Sequence, residues 1–241
     1  MITTRATRRV TIPFAGLTLY GDLSWPIAPG RVHALAVIAH PSSGSRLNPH
    51  NQALAAALNR EGLATLLVDL LGTDEDQWEP SAAKVRYDVD LLTARLRAVV
   101  DRIARLEVET AALPVAVLGT GATGPAALRA AALLAAAEPA TGASPPREGR
   151  IGAVVCRNGR PDLWDGEPVV PVLSLVAEQD HDGLDLHRDR PAGEVRVVEG
   201  AADLVDDPSG VGAVAAIAGP WLADRLDPEH TPRSAGAGRV P

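Results

Sequence analysis

One cysteine, one phenylalanine and two tyrosines are all that 241 residues contain of these types, and aromatic side chains make up 3% of the chain. A single thiol, Cys156, excludes an intrachain disulfide, in keeping with a reducing compartment, and its small apolar body suits a buried packing position. Basic charge is also short: 23 Lys and Arg stand against 30 Asp and Glu, a formal net charge of −7. That balance repels phosphate backbones and anionic lipid surfaces unless basic residues gather in a patch, so neither nucleic acid nor a membrane is an expected partner. Long apolar runs are missing as well. The longest, around Ala126 to Ala137, is interrupted by Arg129, whereas a membrane-spanning helix needs about 20 predominantly apolar residues. Residues 1–10 carry Arg5, Arg8 and Arg9 and lead into a strand-like segment, which argues against a secretory leader. There is no internal repeat. The expectation is a cytoplasmic protein with no metal and no cofactor.

What is present is a chain that is 46% hydrophobic and 22% charged, enough to bury one large core. Val10 to Trp25 alternates like two short strands joined at Ala15-Gly16. His33 to His40 and Leu63 to Leu70 are nearly continuous apolar runs, as in strands buried on both faces of a parallel sheet. Between them, helical spacing from Pro49 to Arg60 ends at Gly62. Ser81 is placed to cap one long helix, Ala82 to Leu106, with Val85, Val89, Leu92, Leu96 and Val99 on a single stripe. Further strands are expected at Pro114 to Leu118, Ile151 to Cys156, Val169 to Val176 and Glu194 to Val198. Helices are expected over Pro125 to Ala137 and Val211 to Leu226. Residues 138–150 read as a polar connection, and 227–241, rich in Pro, Gly and Ser, as a disordered tail after a single domain spanning 1–226. The alternation predicts an α/β fold with a mainly parallel sheet, an N-terminal antiparallel hairpin and helices on both faces, where sites gather at the carboxyl ends of strands.

The turn GTGATG, Gly119 to Gly124, joins a strand to a helix and supports two readings. Gly119, Gly121 and Gly124 spell G-x-G-x-x-G, whose helix N-terminus can hold a pyrophosphate. That motif usually opens the first βαβ unit and is followed about 20 residues later by an acidic residue, whereas the next strand here ends in Cys156 and Arg157. The other reading is a nucleophile elbow, a strained turn that requires small residues two positions either side of its tip. Gly119 and Thr123 would then flank Gly121.

Pro114 to Ala132 resembles the elbow region of a dienelactone-hydrolase-like branch of the α/β-hydrolase superfamily, whose pattern is L-P-x-G-L-F-G-A-S-T-G-A-A-A-A-L. HPSSGSRLNPHN, His40 to Asn51, is similar to that family's H-G-S-G-S-S-R-x-S-P-R-N. LAAALNREGLATLLVDLL, Leu54 to Leu71, and VVCRNGRPDL, Val154 to Leu163, also match. The resemblance extends over most of residues 8–226 and implies the α/β-hydrolase fold.

The resemblance also locates what is missing. Gly121 falls on the family's serine. Asp180, after VLSLVAEQ, matches the family's acid, and in GAADLVDDP, Gly200 to Pro208, Asp203 takes the place of the histidine. Glycine offers no nucleophile, and an aspartate reproduces neither the geometry nor the near-neutral pKa of an imidazole. His181 is the nearest imidazole in sequence to Asp180. Pro41 stands where the family has glycine and removes a backbone donor from the loop expected to line an oxyanion site.

The motifs around the triad survive, so the resemblance implies a retained pocket. Ser42, Ser43 and Arg46 lie on the first loop, Thr120 and Ala122 beside the elbow tip, and Arg157 and His181 on neighbouring segments. These are the candidate ligand-binding residues. Asp162 reads as pairing with an arginine to lock a loop, Arg160 is retained among the family's motif residues, and the four tryptophans read as packing or pocket-wall residues. The expected function is non-hydrolytic: a small-molecule pocket that binds an organic ligand or transforms it by cyclisation, elimination or isomerisation, with Asp180 or Asp203 moving a proton. The alternative is a pseudo-hydrolase acting through a partner or as a scaffold. A residual esterase and a dinucleotide binder are weaker readings. Oligomeric state is left open.

Overall fold

The computed structural model describes residues 7–26, 32–77, 81–106, 110–137, 150–190 and 192–226. The segment 227–241 and most of the polar connection before Arg150 lie outside them.

The chain opens with strands β1 (Thr7–Phe14) and β2 (Leu17–Ser24), antiparallel and joined at Ala15 and Gly16. Both turn residues have positive φ, 45° and 85°, as a tight two-residue hairpin turn that matches strand twist requires. β2 pairs antiparallel with β4 (Ala64–Asp69). From there the sheet is parallel through β3 (Leu35–His40), β5 (Val115–Gly121), β6 (Ile151–Gly159), β7 (Val172–Ala177) and β8 (Glu194–Val198). The spatial order of the eight strands is β1-β2-β4-β3-β5-β6-β7-β8.

Alternation divides each inner strand between two cores. Leu35, Val37 and Ala39 of β3 face one side, with α4 (Val89–Leu106) and α5 (Thr123–Ala136). Ala36 and Ile38 face the other, with α1 (Pro49–Arg60) and α7 (Pro208–Leu226). Burial on both faces is why these strands carry almost no polar residues.

α1 has the bounds its sequence announces. The Asn48 side chain accepts from His50 N at 2.8 Å, Pro49 occupies the first turn, and Gly62, at φ 81°, follows the last turn. The long helix expected from Ser81 is instead two, α3 (Ser81–Arg86) and α4, and Ser81 is the first residue of α3. Asp88 causes the break. Its N–H closes a turn on Val85 O and its carboxylate accepts from Leu91 N at 3.0 Å, capping α4 afresh. The short α2 (Thr73–Gln77) and α6 (His181–Asp189) add two polar helices. Arg95 ties α2 to α4: its buried guanidinium donates to Leu70 O and, through two nitrogens, to Glu75 at 2.9 and 2.6 Å.

Candidate functional site

The parallel strands β3, β5 and β6 end side by side, with Ala39 opposite Gly119 and Gly121 opposite Gly159. The chain leaves β5 for α5 through the glycine turn, and crowding explains the glycines. A Cβ on Gly119 would stand 2.7 Å from Gly124 N, and one on Gly124 would stand 2.8 Å from Cys156 Sγ. At the tip Gly121 has φ 53°, yet a Cβ there would meet nothing within 4 Å. Gly119 and Gly124 are tight and the tip is open, and crowding beside an open tip is the spatial pattern of an elbow. Burial pushes the Cys156 thiol up to about 12, so it is a packing group and not a nucleophile.

The two carboxylates singled out from sequence are held locally. Asp180 caps α6, its Oδ1 accepting from Gly183 N at 2.9 Å. Asp203 Oδ1 accepts from Val205 N and Asp206 N, both at 2.6 Å, and its Oδ2 accepts from Asn158 Nδ2 at 3.1 Å. Asn158, at the β6 end beside Gly121, holds a positive φ of 44° that asparagine tolerates better than most residues. It is therefore Asn158 that ties the loop of Asp203 to the elbow. His181 is the exposed first residue of α6.

The first loop, 41–48, is organised from below by Asp69, the last residue of β4. Its two carboxylate oxygens accept from Gly44 N, Ser45 Oγ and Arg46 N at 3.0 to 3.1 Å. Arg46 adds ion pairs to Asp69 at 3.1 Å and Asp22 at 2.9 Å. Ser42 Oγ meets Ser45 Oγ at 2.7 Å, and Ser43 donates through N and Oγ to Asp76. Burial raises the Asp69 pKa, opposed by these donors and by Arg46. Asp69→Asn, which turns an amide donor toward this ring of donors, is expected to lower stability by about 1–3 kcal/mol in chemical denaturation. A loss no larger than that of an exposed Asp→Asn control would show that the loop stands without it.

Sequence reasoning missed His40. It ends β3, 5% exposed, and its Nε2 lies 3.0 Å from Nη2 of Arg157, which is wholly buried. A guanidinium only donates, so Nε2 is the acceptor and the ring proton sits on Nδ1. Burial first, then the Arg157 charge, lowers the imidazole to about 3, against a contribution from Asn51 in the other direction. His40 is thus neutral at physiological pH. Arg157 also donates to Leu204 O at 3.4 Å. Burial lowers it to about 10, while Asp203 and Asp206 act to raise it. Of the remaining candidates, Thr120 is half-buried in β5 and Ala122 is buried at the cap of α5. The arginine that Asp162 pairs with is Arg160, in a two-pronged pair at 2.8 and 2.6 Å. Among the described residues no helix is long and apolar enough to cross a membrane, and no cluster of three metal-ligating side chains occurs.

No protein-family model matches the chain. Proteins named "Putative phosphoribosyl transferase" from two Mycobacterium tuberculosis strains are each 36% identical to it over 208 residues, covering 82% of this chain. The chain spans 42% of the length of these curated relatives. Among solved structures, a dienelactone hydrolase from Anabaena variabilis superposes with a TM-score of 0.75 at 27% identity, over 92% of this chain and 99% of its own. Est1E from Butyrivibrio proteoclasticus gives 0.64 at 15% identity, over 90% and 98%, a likeness of fold alone.

Proposed function

Because the chain belongs to the α/β-hydrolase superfamily, we propose that it is a non-hydrolytic member whose elbow has been repurposed to bind a small organic ligand. The observation that carries this reading is Gly121, which has positive φ and open space where a side chain would project, while the neighbouring Gly119 and Gly124 are too crowded for one. A ligand can approach the backbone at that tip, and no acyl-enzyme can form there. Binding is favoured over turnover because both carboxylates have structural work: Asp180 Oδ1 caps α6, and Asp203 accepts from Val205 N, Asp206 N and Asn158 Nδ2. The open tip likewise favours a ligand over a purely scaffolding role.

Native mass spectrometry of the purified protein is expected to reveal a bound small molecule, and a serine-directed fluorophosphonate is expected to leave the protein unlabelled. Gly121→Ser has room for its side chain, at a cost of about 1–2 kcal/mol for left-handed backbone. This variant is still expected to hydrolyse activated esters no faster than background, because a general base contributes about 10²–10⁴ in rate and His40 is engaged by Arg157. Efficient ester turnover by the unaltered protein would overturn the proposal.

A further inference from the structure

The last strand of the sheet has an unpaired side. Among the described residues β8 stands at the end of the strand order and pairs only with β7. Val198 O accepts from Glu178 N on the β7 side at 3.1 Å. Peptide groups alternate along a strand, so Arg196 and Glu194 also turn theirs toward β7, while Val195 and Val197 direct N–H and C=O outward. Side chains alternate with them. Val198 enters the core beneath α7, and Glu194 accepts from Trp221 Nε1 at 2.9 Å. On the opposite face Val195 and Val197 are 36% and 47% exposed. Outward peptide groups beside two exposed β-branched side chains form a template for strand addition.

Charge selects what can add. Glu194 and Arg196 sit two residues apart on one face, already paired at 2.5 Å. We propose that a second copy of this chain pairs antiparallel with β8 across a twofold axis at Val195, doubling the eight-stranded sheet. In that register each Val195 opposes the partner's Val195, whose outward peptide groups complete a hydrogen-bonded pair. Each Glu194, which also has Arg225 at 3.7 Å, opposes the partner's Arg196, so opposite charges face each other across the strands. An axis at Arg196 would set two guanidiniums against each other, which cross-strand repulsion disfavours. A five-residue strand contributes only part of the roughly 1,200 Å² of a stable interface, so the association is reversible.

Sedimentation velocity of the full chain over a concentration series is expected to show a monomer–dimer equilibrium. Val195→Lys and Val197→Lys, both at exposed positions, are expected to weaken it by about tenfold or more, 1.4 kcal/mol, with unchanged circular dichroism. A short bis-maleimide is expected to join Val195→Cys chains into dimers. Val197→Cys chains should stay single, because in this register their thiols lie about 14 Å apart along the strands; the native Cys156 is buried and does not compete. A chain that stays monomeric at every concentration, a dimer that survives both lysine variants, or cross-linking at 197 and not at 195 would each overturn the proposal.

Discussion

Arg157→Ala is expected to cost about 3–5 kcal/mol of stability, the loss typical of truncating a large buried side chain to alanine, with two acceptors left unpaired. Arg157 is 0% exposed and packed where β6 meets the loop of Asp203. Removing it empties a large side-chain volume, strips His40 Nε2 of its donor at 3.0 Å and leaves Leu204 O without one at 3.4 Å. Arg157→Met separates these effects. A methionine refills much of the space without a charge, so the remaining loss is that of an unpaired buried acceptor, about 1–3 kcal/mol. Equilibrium denaturation at neutral pH should therefore rank the wild type above the methionine variant and that above alanine. An alanine variant within about 0.5 kcal/mol of wild type, the range of an ordinary surface change, would mean that the guanidinium is not the tie it is taken to be.

Acid is expected to act through the same pair. The unfolded chain takes up a proton on His40 near 6.5, whereas the folded chain resists protonation until about 3. Protons are thus bound preferentially by the unfolded state in that interval. The stability linked to neutral His40 is complete above 6.5 and is lost progressively as pH falls toward 3, at about 1.4 kcal/mol per pH unit. Paired carboxylates such as Glu75 and Asp162, whose pKa values their arginines lower, add acid sensitivity of their own in the carboxylate range. His40→Gln isolates the histidine, because its amide oxygen offers Arg157 an acceptor that does not titrate. Stability measured between pH 7 and 4 should fall less steeply for His40→Gln than for wild type. Parallel slopes would place the acid sensitivity elsewhere.

The parts of the fold that were legible are those in which a local signal and the burial pattern agree. Asn48-Pro49 and Gly62 delimit α1, and the five-residue strand Glu194 to Val198 has the bounds its alternation suggested. The expected single helix from Ser81 failed because an apolar stripe continues across a break and does not report it. One side chain, Asp88, competes for the backbone and restarts the helix. α6 escaped notice because HDGLDLHRD is polar and contains a glycine; its start depends on the cap supplied by Asp180.

The sequence alone determined that the sheet is mostly parallel and doubly covered, since strands with apolar residues at consecutive positions are stable only between two layers. It also determined that Gly121 carries no nucleophilic side chain, because that is a matter of residue identity. Tertiary structure decided which polar groups are free. His40 and Arg157, 117 residues apart, become partners only when β3 and β6 flank β5. Asp180 and Asp203 read as free acids along the chain, yet folding brings backbone donors to both. In a buried setting a carboxylate or imidazole takes whichever partner the packing presents, and sequence spacing carries no record of that choice.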